Sequence, residues 1–291
     1  MRRKLALLGL AVSTIACGGL SASPAATPVV STMVAATLQA MTAAVSSTAS
    51  PPTSPGNSFS ADGVSVVIPT GVASGATAES VPAVTEQSGA PWDVAPAYLR
   101  LTLQGYILQN KFFQPQIMVY PAAEYAAASN GAAISMPRLQ AILANPSAPL
   151  TNDVLPRLPY VNAEQAIGAA PKIVAFSNGN GVRVLAEYAQ YFAPINNHDL
   201  FYHYEGLTTD GKSYVVATLP INAGFLAPES DLTSVVPAGG VPFPGMDSTD
   251  SNVFVTYYQS VADLLEAAPP EAFQPILTDL DSLIQSLQIS R

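Results

Sequence analysis

The sequence predicts an α+β fold: a central, mainly antiparallel sheet with helices packed on it. Three observations carry that expectation. Val182 to Phe192, Leu200 to Leu207 and Ser213 to Leu219 are dense β-type runs crowded into one stretch. Thr209-Asp210-Gly211-Lys212 separates the last two, and Asp-Gly between Val- and Tyr-rich runs is a strong hairpin signal, because glycine reaches positive φ without a Cβ clash. Near the end, Phe254, Tyr257, Tyr258, Val261 and Leu265, and then Phe273, Ile276, Leu277, Leu280 and Ile284, recur at the spacing of one helical face.

Taken in order, the chain opens Met1-Arg2-Arg3-Lys4, followed by an apolar run from Leu5 to Ala16. A basic start with a short apolar stretch has the form of an export signal, and the run is too short to span a bilayer. Thr14-Ile15-Ala16-Cys17 resembles the bacterial lipobox, which implies cleavage before Cys17 and acylation of that cysteine. It is the one cysteine of the chain, so the mature domain is expected to fold without an internal disulfide. Residues 1–17 are thus read as a signal peptide and residues 18–57 as an Ala/Ser/Thr/Pro-rich tether, too poor in large side chains to bury a core. Val34, Leu38, Met41 and Val45 would share one face of a short helix within it.

Residues 58–291 are read as a single α+β domain. Phe59 to Pro69 forms two short strands joined at Asp62-Gly63, or one strand with a bulge. Gly71 to Trp92 is small, polar and turn-rich, and Trp92, the single tryptophan, is expected to plug the edge of the core. Tyr98 to Leu103 alternates as a strand with one covered face, and Gln116 to Tyr120 is a strand ended by Pro121. A short helix over Ala122 to Ser129 is expected to stop at Asn130-Gly131. Ser135 reads as the N-cap of another helix, running to Ala144. A Pro-rich connection leads to a strand at Lys172 to Phe176, and Asn178-Gly179-Asn180-Gly181 turns it into the central block. After Pro220 the chain is irregular. Gly239-Gly240 lacks the Lys and the spacing of a phosphate loop and is read as a turn. Pro269-Pro270 separates the two closing helices.

Two resemblances follow from these motifs. FSADGVSVVIP, LFYHYEGLTTDGKSYVVATLP and ILTDLDSLIQSLQI are similar to the PsbP/Mog1-type sandwich of small exported bacterial lipoproteins. LPYVNAEQAIG, FSNGNGVRVLAEYAQ and INNHDLFYHYEGLTTDGKSYVVATLP, between Leu158 and Pro220, resemble uncharacterised bacterial lipoproteins. The first implies the sandwich fold, and both imply an envelope location on the outer face of the membrane or at the outer membrane. Neither implies an activity.

Charge narrows the function classes. Losing Arg2, Arg3 and Lys4 with the signal leaves 8 of the 11 basic residues against 20 acidic ones, a formal net charge of −12. Such a surface repels nucleic acid. The two histidines, His198 and His203, do not share a helical face and have no third ligand in reach by spacing, so no metal or other cofactor is expected; Asn196-Asn197-His198-Asp199 reads as a polar turn. No Gly-x-Ser-x-Gly elbow is present, so no catalytic constellation is read. Glu187 and Glu205, on neighbouring strands, are the best pair for a two-carboxylate hydrolase. Arg183, Tyr188, Tyr202, His203 and Tyr204 form a candidate ligand-binding surface, since aromatic side chains with a few polar groups suit glycan or peptide recognition. The leading expectation is a non-enzymatic, lipid-anchored module that contacts an envelope protein or glycan. The alternative is a hydrolase of cell-envelope or extracellular polymers.

Overall fold

The computed structural model describes residues 56–291, apart from Gln87, Tyr160, Ser248 and Thr249. The expected export signal, Cys17, the expected tether helix and nearly all of the expected tether lie outside the described residues. Strand β1 (Gly56–Ala61) begins two residues before the expected boundary and pairs with β2 (Val64–Pro69) across Asp62 and Gly63. Both turn residues hold positive φ, 47° and 76°, so the hairpin reading stands over the bulge. A Cβ at Gly56 would lie 2.5 Å from the Ile68 carbonyl oxygen, which explains a glycine at the strand's first position.

The main sheet has seven strands, all antiparallel. Its members are β3 (Gly75–Val81), β4 (Tyr98–Gln104), β5 (Gln116–Pro121), β6 (Glu164–Phe176), β7 (Gly179–Ala189), β8 (Phe201–Thr208) and β9 (Ser213–Pro220), in the spatial order β3-β4-β5-β9-β8-β7-β6. The chain lays down one meander, β3 to β5, crosses to the far edge, and returns through a second meander, β6 to β9. The two halves meet where β5 pairs with β9, Gln116 opposite Thr218. The crossover carries helices α1 (Ala122–Ala128) and α2 (Asn130–Ala144).

Both faces of the sheet are covered. Leu99, Leu101, Ile117, Val119, Val215, Ala217, Tyr202 and Tyr204 point to one side, where they meet β2 and the closing helices α3 (Asn252–Ala267) and α4 (Leu277–Gln285). Met118, Tyr120, Phe201, Tyr214, Val216, Val182 and Val184 point to the other, beneath α1 and α2. Strict alternation across the pleat sends successive residues to opposite faces, so two covered faces give strands such as β9 that are buried at every position. Short strands complete the closing segment: β10 (Asn222–Ala223) pairs with β11 (Phe273–Gln274), and β12 (Gln288–Ile289) pairs with β2. Among the described residues no helix is long and apolar enough to cross a membrane.

Several local expectations need correction. Gly75–Val81 is a strand rather than turn-rich chain; it is an edge strand of small residues and buries little, so it carries no apolar pattern. Asn130-Gly131 does not end a helix. Ser129 breaks α1 from α2 and its hydroxyl accepts from the Ala132 amide, so Asn130 opens the second helix. Ser135 lies inside α2, where its hydroxyl accepts from the Arg157 amide and ties the crossover loop down. Strand β6 starts eight residues before Lys172 because a register shift between Ala169 and Lys172, with Ala170 at φ 47°, absorbs Pro171 on an edge strand. Phe273 belongs to β11, and the last helix begins only at Leu277.

Candidate functional site

Three buried carboxylates organise the polar interior: Glu187, Glu205 and Asp281. The register of β7 with β8 sets Val182 opposite Glu205 and Arg183 opposite Tyr204. Glu205 therefore shares a face with Val182 and Val184, under α2, whereas Glu187 follows Arg183 and Leu185 onto the other face. The proposed carboxylate pair is split by the sheet itself. The five-residue surface is split in the same way: Arg183, Tyr202 and Tyr204 face α4, while Tyr188 and His203 face the α1/α2 side. Arg183, Tyr202, His203 and Tyr204 are all buried, so these four are packing rather than a surface, whereas Tyr188 is half-buried and lines a cleft at the end of β7.

Two of the three acids have partners in keeping with a structural role. Glu205 accepts from the Leu158 amide at 2.6 Å and from the Tyr214 hydroxyl at 2.6 Å, with His203 Nε2 at 3.1 Å from its Oε1. Burial, followed by the charge of Glu205, holds the Tyr214 phenol well above its usual pKa, so it stays a donor. Asp281, on α4, accepts from the Tyr202 hydroxyl at 2.9 Å and from Lys172 Nζ at 2.8 Å, and Arg183 Nε lies 3.5 Å away. The Arg183 guanidinium also sits over the Tyr202 ring at 5.9 Å. This network clamps α4 to β6, β7 and β8.

Glu187 differs. Its Oε2 accepts from the Asn196 amide at 2.9 Å and its Oε1 from Asn196 Nδ2 at 3.0 Å. The same Nδ2 reaches Asp199 Oδ2 at 3.0 Å, and Asn196 Oδ1 accepts from the His198 and Asp199 amides. Asn196 to Asp199 is thus the expected polar turn, with Asn196 as its hub. His198 Nδ1 lies 2.6 Å from Asp199 Oδ1, on this turn, whereas His203 is sealed under α2. The charged group acting on Glu187 is Asp199, of the same sign; burial first, and Asp199 with it, push the Glu187 carboxyl well above the ordinary value of 4.5 against the opposing Asn196 bonds. Among the described residues no three His, Cys, Asp or Glu side chains converge as a metal set.

Glu187 and Asp199 line a cleft of about 520 Å³ at the end of β7. Its mouth is aromatic: Trp92, Phe112 and Tyr191 stand there 39%, 62% and 68% exposed. Trp92 therefore does not plug the core edge. Phe112 is set by its amide donating to the His198 carbonyl, and its ring meets Phe113 edge-on, while Phe113 packs on Phe201. Lys111 is turned away from the cleft, its ammonium donating to the Asn197 carbonyl and to Asn222 Oδ1. Of the candidate site residues singled out from the sequence, Glu187 and Tyr188 line this cleft; sequence reasoning missed the rest because the walls come from residues near 92, 112, 162, 190 and 230. One local signal was present: the adjacent Phe112-Phe113 sit beside Asn110-Lys111 in a loop, where one ring of such a pair is readily left outside. Comparisons with family models, with curated proteins and with solved structures found no match.

Proposed function

We propose that the protein is a lipid-anchored, extracytoplasmic binding module that holds an envelope polymer or partner protein in the cleft at the end of β7. The observation that carries this reading is the cleft: about 520 Å³, the size of small-ligand sites, with three exposed aromatic rings at its mouth and three acidic side chains, Asp93, Glu187 and Asp199, in its wall. Exposed aromatic side chains grouped around a concavity supply contact area at low entropic cost, the usual basis of glycan and peptide capture. The export-type start, the lipobox-like Thr14 to Cys17 and the resemblance to bacterial lipoproteins, PsbP/Mog1-type domains included, support the location. Acylated Cys17 would hold the module at the envelope, with residues 18–57 as its tether.

A hydrolase built on Glu187 and Glu205 loses its motivation, because a sheet stands between the two carboxylates. The binding reading is tested by titrating isolated envelope glycan and solubilised envelope protein against the full chain. Saturable binding that falls at least tenfold in the Phe112→Ala/Tyr191→Ala double variant is expected. Binding unchanged by that variant would move the site elsewhere. Release of reducing ends or peptides from the polymer would replace the binding reading with an enzymatic one. The anchor is tested by Cys17→Ser, which is expected to move the protein from the membrane to the soluble fraction.

A further inference from the structure

We infer that the cleft at the end of β7 takes an organic ammonium ion, a protonated or quaternary amine carried on an apolar or aromatic body. The inference rests on the binding reading above and names its ligand class. Its starting point is a contrast among the three buried acids. Asp281 has Lys172 and Arg183 within 2.8 and 3.5 Å, and Glu205 is sealed in the interior with the Leu158 amide and the Tyr214 hydroxyl as donors. Glu187 is as deeply buried, 2% exposed, and its partners are amide N–H groups of Asn196. No cation reaches it from the described protein, and the charge beside it is another acid. With no cation beside it the buried carboxyl keeps its proton, and a cation entering the cleft that it borders would supply the missing opposite charge and release that proton.

The lining agrees. The ionisable carboxyls on the wall are Asp93, Glu187 and Asp199, and among the described lining residues there is no Lys, Arg or His. Lys111 donates to the Asn197 carbonyl and its charge is felt by Asp199. Trp92, Phe112 and Tyr191 complete the recognition chemistry, because the negative face of an aromatic ring attracts ammonium groups that carboxylates then neutralise. An ammonium ion engages rings and acids together, whereas an anion would meet acidic side chains and no basic one among the described lining residues. The acidic balance of the whole chain adds long-range attraction for cations.

The experiment uses the full chain and Trp92, the single tryptophan, as reporter at the cleft mouth. Benzyltrimethylammonium, benzyl alcohol and benzoate are titrated at pH 7 and constant ionic strength while Trp92 emission and amide NMR shifts are followed. Benzyltrimethylammonium is expected to bind saturably, at least tenfold more tightly than benzyl alcohol, with benzoate weaker still and shifts confined to the cleft. Glu187→Gln should weaken the ammonium at least fivefold and leave benzyl alcohol unchanged. Because that substitution touches a buried hydrogen-bond hub, Ser230→Lys, on the cleft wall, provides an independent arm: it should weaken the ammonium and spare benzyl alcohol. Equal affinity for the three probes would overturn the ammonium assignment while leaving the cleft as a binding site. Absence of ammonium binding, with the envelope titration still positive, would do the same. Failure of both titrations would remove the cleft reading altogether.

Discussion

At the scale of single residues, the interior is set by how each buried charge is met. Tyr202 donates to Asp281 at 2.9 Å in a site closed to water, so Tyr202→Phe leaves a buried carboxylate short of one donor. A loss of about 1–3 kcal/mol is expected, read from urea denaturation midpoints. Glu187 gives a pH signature. Burial raises its folded pKa above the unfolded carboxylate value, so the folded state holds the proton more tightly. Its stabilising contribution is complete below about pH 4 and is lost as pH rises toward the raised folded value. Glu187→Gln removes this dependence. The Tm of the wild type relative to that variant is therefore expected to be higher at pH 4 than at pH 8. The sequence showed Glu187 and Glu205 as strand residues, but not their faces. The face depends on register, and the register across β7 and β8 is fixed by the turn at Pro194 to Asp199, whose Asn196 hub is visible only once Glu187 is seen gripping it.

Among elements, those with a packed apolar face were legible and those without one were not. Strand β4 and helix α3 both follow their expected periods, with Leu99, Leu101 and Leu103 buried on one and Phe254, Tyr257, Val261 and Leu265 on the other. Edge strand β3 and the first half of β6 were unreadable because they bury little and, in β6, bend around Pro171. Close approach of β7 and β8 yields the sharpest prediction. A Cβ at Gly181 would fall 2.3 Å from the Glu205 carbonyl oxygen and 2.4 Å from the Tyr204 ring, so Gly181→Ala should cost about 3 kcal/mol or leave the chain unfolded. Gly75→Ala, at an edge position with open space around its Cβ, is the control and should raise stability slightly or leave it unchanged, by about 0.4–1 kcal/mol at most. Paired thermal melts decide both.

At the scale of the whole domain, the α+β architecture and its antiparallel sheet follow from the crowding of β-runs before Pro220 and the two stripes at the end. The cleft does not follow, since it is assembled from loops that no periodicity describes. Strands β8 and β9 lie central, with both faces covered, so their amides should exchange slowest, near the global unfolding free energy, while those of β1 and β3 exchange orders of magnitude faster; hydrogen-exchange mass spectrometry reads the difference. The seam between β5 and β9 also dictates an order of events for a chain emerging from the ribosome. β5 waits for a partner about a hundred residues downstream, and β2 waits for Gln288 and Ile289, about two hundred and twenty residues downstream. Until then the N-terminal meander offers a bare hydrogen-bonding edge with apolar residues on both sides of it, the kind of template on which nascent chains join one another. Chains released before Ser213 should accumulate as aggregates rather than as a folded half-domain.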